Sequence, residues 1–379
     1  MEDVLIYGDT ERSQEMRHEV AVMIPDPFLY AERDGVRHVV GSSFEQPRLG
    51  GIGPHEFHPF EEFGLDELRR TSSTYGEAMN ALAVRAVLAL GIERAIVPSG
   101  FPVLTADLLR AAGVELIPDQ VAFDDRRRVK TPAELAGVRR AQRAAEAGMT
   151  AAVELLRQSV PNAGGKLEVD GEVLTSERIK VAIAAAFLAN GAGSDEFVVS
   201  HGAQAAIGHH MGSGEILAGE TIVIDIWPRD NESSCFADMT RTFVVGEVPA
   251  EVAEWHRLCK EAVDRSVAEI RPGAIASSIY DGTCDVFEAA GYPTLRTKAD
   301  GETLDNGFLH SLGHGVGLAV HEEPFLGRIG KTPLVAGDVI TVEPGLYRPG
   351  FGGLRLEDLI LVTDDGAETL TQFPYDLAP

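Results

Sequence analysis

The sequence predicts an α+β chain: a smaller N-terminal α/β domain over residues 1–125, then a larger domain over 126–379 built from a duplicated α/β unit. Three observations carry this expectation. β-rich runs alternate with helical periodicity through the first third of the chain. The charged stretch DDRRRVK, Asp124 to Lys130, then breaks the pattern and reads as a linker. Beyond it, one order of elements, two helices followed by a strand hairpin, is written twice.

In the first part, EVAVMI (19–24) and RHVVG (37–41) read as strands, because apolar and β-branched residues dominate them. LDELRRTSSTYGEAMNALAVRAVLALG reads as helix with a break near Ser72–Tyr75. RAIVPS reads as a strand, LTADLLRAAG as a helix and VELIP as a strand. Neither a GxGxxG turn nor a Walker lysine accompanies Gly100, so no phosphate cradle is expected here.

The second part opens with TPAE. Thr131 can cap a helix, Pro132 suits its first position, and Glu134 completes a capping box. The first half then reads as helices Pro132–Gln158 and Ser176–Asn190, the strand EFVVS, and a hairpin of Thr221–Ile226 with Phe236–Val245. The second half reads as helices Ala250–Ile270 and Ser277–Ala290, a histidine-rich segment, and a hairpin of Asp338–Tyr347 with Leu354–Thr363. Gly191 and Gly291 close the second helix of each half, as glycine at a helix C-terminus does.

Four acids repeat with the unit. Asp225 ends the run TIVID, and Asp238 lies in ADMTRTF. Glu343 ends VITVE, and Glu357 lies in LRLEDLILV. Corresponding acids are about 118 positions apart in both cases. If Asp225 faces Asp238, the turn centres inside PRDNESS; if Glu343 faces Glu357, it centres on Gly350. Opposed residues on one sheet face hold their Cβ atoms about 4.5–5.5 Å apart. A single acid at a strand end is ordinarily a solvated turn residue. Four that recur at one offset point to a shared centre. Carboxylates so close repel one another unless cations lie between them. The simplest reading is a two-metal site, with cations ~3.5–4 Å apart.

Histidines flank the acids. HSLGHGVGLAVH holds His310, His314 and His321, and SHGAQAAIGHH holds His201, His209 and His210. His209 and His321 are separated by nearly the acid offset and read as quasi-symmetric partners beside the metals. His314 lacks a counterpart and reads as an asymmetric metal ligand. One imidazole among four carboxylates makes a hard, oxygen-rich set that favours Mn²⁺ and admits Co²⁺, Zn²⁺ or Fe²⁺.

Bulk properties agree. The chain has 379 residues, 44% apolar and 24% charged, ordinary for a globular protein. Its net charge of −26 excludes nucleic acid as the expected partner and suits cation capture. Cys235, Cys259 and Cys284 form no CxxC pair and read as reduced thiols. No basic-then-apolar leader and no membrane-length apolar run is legible, so a cytoplasmic location without membrane partners is expected.

In family order, ADMTRTF, HSLGHGVGLAVHE, TVEPGLY and LRLEDLILVT make the sequence resemble the creatinase/aminopeptidase P/methionine aminopeptidase family, the pita-bread metallopeptidases. VKTPAEL and the RPG at Arg271–Gly273 match as well. The resemblance is strong from Lys130 onward and weak before it. It implies metal ligands Asp225, Asp238, His314, Glu343 and Glu357, with Asp238 and Glu357 bridging two ions. It implies catalytic assistance from Glu343, His321 and His209, and substrate contacts from His310 and Arg355. The intact ligand set separates the chain from creatinase, and the separate N-terminal domain separates it from methionine aminopeptidase. The resemblance therefore implies an Xaa-Pro dipeptidase (prolidase), with an Xaa-Pro aminopeptidase acting on longer peptides as the first alternative and a non-proline-specific or non-catalytic member of the fold as the second. Its partner would be a small peptide with proline second, and the family leads one to expect a homodimer.

The chain departs from the family pattern around the first two acids. Their spacing is longer by about two residues, the usual Asp-x-Gly is Asp225-Ile226-Trp227, and Cys235 stands where tyrosine is common. Gly208 precedes His209 where proline is frequent. No ligand position is lost. Trp227 reads as a packing residue beside the site, and Cys235 as structural.

Overall fold

The computed structural model describes residues 2–379. Two compact units divide the chain, residues 1–127 and 128–379.

The first unit is a six-stranded mixed sheet in the order Glu56–Pro59, Val36–Gly41, Phe28–Arg33, Asp3–Gly8, Arg94–Val97, Glu115–Pro118. Its three central-to-early strands pair antiparallel and the outer ones join in parallel. The predicted helix break is present: Leu65–Thr71 ends, and Tyr75–Ala89 begins on Thr74, whose hydroxyl accepts from the Glu77 amide.

Two expectations fail here. EVAVMI is not a strand. Ser13 caps a short helix, Gln14–Glu19, that takes up its first residue. The Val20 amide donates to the Met16 carbonyl, and Thr10 exchanges hydrogen bonds with Ile24. The backbone is thereby satisfied without a ladder, and the buried Val20 and Ile24 fill the core from an irregular segment. DDRRRVK spans the division between the two units, but it is not an irregular linker. Most of it lies in the helix Gln120–Arg128. Buried Phe123 anchors that helix, Arg127 pairs with Asp124, and Arg126 reaches Glu19 and Glu32. The charges that marked the stretch are partnered within the fold.

In the second unit the helix Pro132–Gln158 begins with both hydrogen bonds of the capping box. It packs on Ser176–Ala189 at close range: a Cβ on Gly148 would meet Phe187 Cε1 at 2.5 Å. A second pair, Ala250–Glu269 with Ala276–Ala289, repeats the arrangement. Gly191 and Gly291 follow these pairs at φ +71° and +88°, the left-handed conformation that glycine adopts freely.

Each helix pair covers its own sheet. The first sheet is Val198–His201, Ile222–Ile226 and Met239–Phe243, and all its pairings are antiparallel. The second runs Glu322–Leu326, Gly313–Gly315, Val339–Val342, Asp358–Val362, Ala367–Thr369. Separate apolar cores fill the two halves, and a smaller cluster around Val138, Ala237, Val316 and Leu359 lies between them. A bridge between Thr240 and Glu357 joins the sheets. Arg241 locks this seam: its guanidinium pairs with Asp358 at 2.9 Å and donates to the Glu357 carbonyl at 2.7 Å.

The expected registers are half right. Val342 pairs with Asp358 and Gly345 with Arg355, which sets Glu343 opposite Glu357. In the other hairpin Asp225 pairs with Thr240, so Asp238 does not face it. The intervening loop holds two residues more than that pairing assumed, because it folds on itself. Asp230 accepts from Ser233, Ser234 adopts φ +67°, and Arg140 clasps Asp230 through two bonds of 3.0 and 2.9 Å.

Candidate metal centre

Apolar strands aim the acids. Ile222, Ile224 and Ile226 are fully buried around Asp225, and Val339, Ile340 and Val342 precede Glu343. Asp238 and Glu357 each stand one residue ahead of a buried strand, Met239–Phe243 and Asp358–Val362. His314 is the middle residue of Gly313–Gly315, where a Cβ at Gly313 would meet the Thr341 carbonyl oxygen at 2.0 Å. Glycine there lets the His314 strand approach its neighbour.

These residues meet at one cavity of about 550 Å³. Ligand atoms of Asp238, His314 and Glu357 all lie within 4.8 Å of one another. His314 Nε2 is 3.5 Å from Glu343 Oε1 and 3.8 Å from Asp238 Oδ2. Thr240 Oγ1 joins the others, 2.9 Å from Asp225 Oδ1 and 2.6 Å from Glu357 Oε2. Arg355 contacts Asp225 directly and sits 4.0 Å from Glu343.

Burial dominates the electrostatics. It raises the carboxyls of Asp238, Glu343 and Glu357 above their ordinary range, and their mutual repulsion adds to this. Glu357 is pushed up to about 8. Burial works against the Arg355 charge, but Asp225 and Glu343 hold it firmly protonated. Burial also lowers His314, to about 4, so its imidazole is neutral. Its Nδ1 donates to the Gly315 carbonyl at 3.1 Å, which leaves the Nε2 lone pair facing Asp238 and Glu343. A neutral imidazole so oriented, with carboxylates that only a positive charge would keep ionised, is a donor set fit for divalent cations.

The remaining candidates line the same cavity. His321 and His209 are exposed to it, and the His321 ring packs 4.2 Å from that of His314. His209 follows Gly208 at φ +60°, a left-handed conformation that costs a residue with a Cβ. His310 accepts from Tyr347 Oη at 2.9 Å and donates to the Ser311 carbonyl at 2.7 Å; burial holds it neutral, at about 3. Arg355 donates to Tyr347 Oη at 3.1 Å and turns inward to Asp225. Trp227 both packs on the first core and lines the cavity. His201 and His210 stay outside: His201 is bound to Glu220 at 2.8 Å, and His210 accepts from the Gly212 amide.

Sequence reasoning missed Thr240, Arg241 and Tyr347. Thr240 had a signal, since it lies two places beyond Asp238 and alternation puts both on one face. Arg241 and Tyr347 act across the fold, and no local pattern marks them.

The profile of Metallopeptidase family M24 matches residues 136–364. An Xaa-Pro dipeptidase of Pyrococcus furiosus is 32% identical over 256 residues, 67% of this chain and 66% of that protein. This chain thus matches just under two thirds of that relative's length. Solved structures that match all or nearly all of the chain include the following two. The prolidase of Pyrococcus horikoshii covers 100% of it, and 95% of its own length, at TM-score 0.76 and 24% identity. The X-Pro aminopeptidase of Thermotoga maritima covers 99% of it, and 97% of its own, at TM-score 0.77 and 21% identity.

Proposed function

The chain belongs to metallopeptidase family M24, and on that premise we propose that it is an Xaa-Pro dipeptidase working with two divalent cations, manganese by preference. One observation carries the reading: Asp225, Asp238, His314, Glu343 and Glu357 converge on a cavity that His310, Tyr347 and Arg355 also line. The P. furiosus relative, named an Xaa-Pro dipeptidase, supports the dipeptide form. A homodimer and a cytoplasmic location belong to the same proposal and rest on the sequence reading alone.

Asp225, Asp238, His314, Glu343 and Glu357 would hold the ions. When bound, such ions supply an acidified water and an electrophile for the scissile carbonyl. Glu343, open to the cavity, accepts a proton from the attacking water and returns it to the leaving nitrogen. That return matters ahead of proline, whose tertiary nitrogen carries no hydrogen until it is protonated. His321 and His209 at the cavity surface donate hydrogen bonds to the oxygen that gains charge. Apolar side chains, among them Val320, Phe325 and Trp227, exclude water and accept the proline ring.

The test compares Ala-Pro with Ala-Pro-Ala after chelation and return of Mn²⁺. Cleavage confined to Ala-Pro is expected. Cleavage of Ala-Pro-Ala would make the enzyme an Xaa-Pro aminopeptidase. If neither is cut while metal is bound, the proline specificity is wrong.

A further inference from the structure

Far from the catalytic set in sequence, residues 1–127 hold a second group of metal-ligating side chains. The strand Val36–Gly41 pairs in parallel with the edge strand Glu56–Pro59, with His38 opposite Glu56 and Val40 opposite His58. Side chains alternate along a strand, so His38, Glu56 and His58 stand on one face. His38 Nδ1 is 3.1 Å from His58 Nε2. Glu56 Oε2 is 3.5 Å from the first nitrogen and 3.9 Å from the second. A point equidistant from three atoms so spaced lies about 2.1 Å from each, within the Zn–N and Zn–O bond range of ~2.0–2.2 Å.

A further carboxylate completes the arrangement. Glu62, in the turn after the edge strand, accepts from His58 Nδ1 at 3.2 Å. That bond puts the His58 lone pair on Nε2, facing His38 and Glu56, and a carboxylate behind a ligating histidine strengthens its donation. The His38 and His58 side chains are only 12% and 21% exposed, whereas Glu56 is 61% exposed and leaves room for water as a fourth ligand. A bare hydrogen bond between the two imidazoles accounts for the histidine pair. It gives no reason for Glu56 to stand within reach of both nitrogens or for Glu62 to orient His58.

We propose that His38, Glu56 and His58 bind one Zn²⁺, with Glu62 orienting His58, and that the ion clips the edge strand to its neighbour. Two imidazoles and one carboxylate are borderline donors, which select zinc over the harder Mn²⁺ and Mg²⁺.

The full chain is stripped with chelator and dialysed against buffered Zn²⁺, and zinc per chain is counted for wild type, His38→Gln and His58→Gln. Each variant is expected to hold one equivalent fewer than wild type, with unchanged Mn²⁺-supported cleavage of Ala-Pro. Glu62→Gln is expected to keep the ion with affinity lowered ~10–100-fold. Only the difference from wild type is read, so the number of ions held elsewhere drops out, and so does the substrate reading. Equal zinc in wild type and both folded variants overturns the proposal. If a variant fails to fold, anomalous scattering from zinc-loaded wild-type crystals decides: a peak between His38 and His58 is expected, and its absence overturns the site.

Discussion

Thr240 is tied to Glu357 twice: its hydroxyl lies 2.6 Å from Glu357 Oε2, and its carbonyl accepts from the Glu357 amide at 3.0 Å. The same hydroxyl touches Asp225, so one side chain sets two of the proposed ligands from opposite halves of the unit. Thr240→Val keeps the shape and removes the hydroxyl. It is expected to weaken metal affinity and kcat by roughly 10–100-fold each, as loss of a ligand's supporting partner does. Thr240→Ser is expected to restore both. Metal titration and steady-state rates on the two variants check this, and equal defects in both would mean that methyl packing matters instead.

His321 and Asp238 should fail differently. His321→Ala is expected to retain bound metal and lose about 10²–10³ in kcat, since in the proposed mechanism it hydrogen-bonds the reacting oxygen and does not ligate the ions. Metal analysis beside kinetics separates the cases; loss of metal in His321→Ala would move that residue into the ligand set.

Acidity should act on the metal-free protein in a fixed direction. Asp238, Glu343 and Glu357 hold their protons more tightly when folded than when unfolded, because burial and mutual repulsion raise them. Stability from this source is fully present below the ordinary values, 3.8 for Asp238 and 4.5 for the two glutamates, and is lost as pH rises through the raised ones, toward about 8 for Glu357. The Tm of chelated protein is therefore expected to fall between those values, and added Mn²⁺ to flatten the fall. A metal-free Tm that rises through this window would contradict the assignment.

The seam has a structural prediction of its own. The side chains of Arg241 and Asp358 are each 1% exposed. Arg241→Met would strip Asp358 of its cation, and breaking such a pair costs about 3–5 kcal/mol. Denaturant unfolding measures it, and a loss under about 1 kcal/mol would mean that Tyr375, which also bonds Asp358, suffices.

Much of this was legible in the sequence, for local reasons. The capping box at Thr131–Glu134, the helix stops at Gly191 and Gly291, and the apolar runs before Asp225 and Glu343 are short-range signals. The Gly350 turn kept Glu343 and Glu357 in register because RPGFGG closes the hairpin simply. The Asp225 hairpin slipped by two residues because Arg140, distant in sequence, holds Asp230 in a folded loop. EVAVMI misled for a related reason: Thr10, not a neighbouring strand, satisfies its backbone. The His38–His58 pair escaped notice because two strands separated in sequence bring it together.

The most direct test of the catalytic centre is Asp238→Ala, assayed for bound metal and for Ala-Pro hydrolysis on one preparation. Removing a carboxylate at the middle of the set is expected to abolish metal retention and turnover together. Normal turnover by a metal-free Asp238→Ala protein would contradict the account.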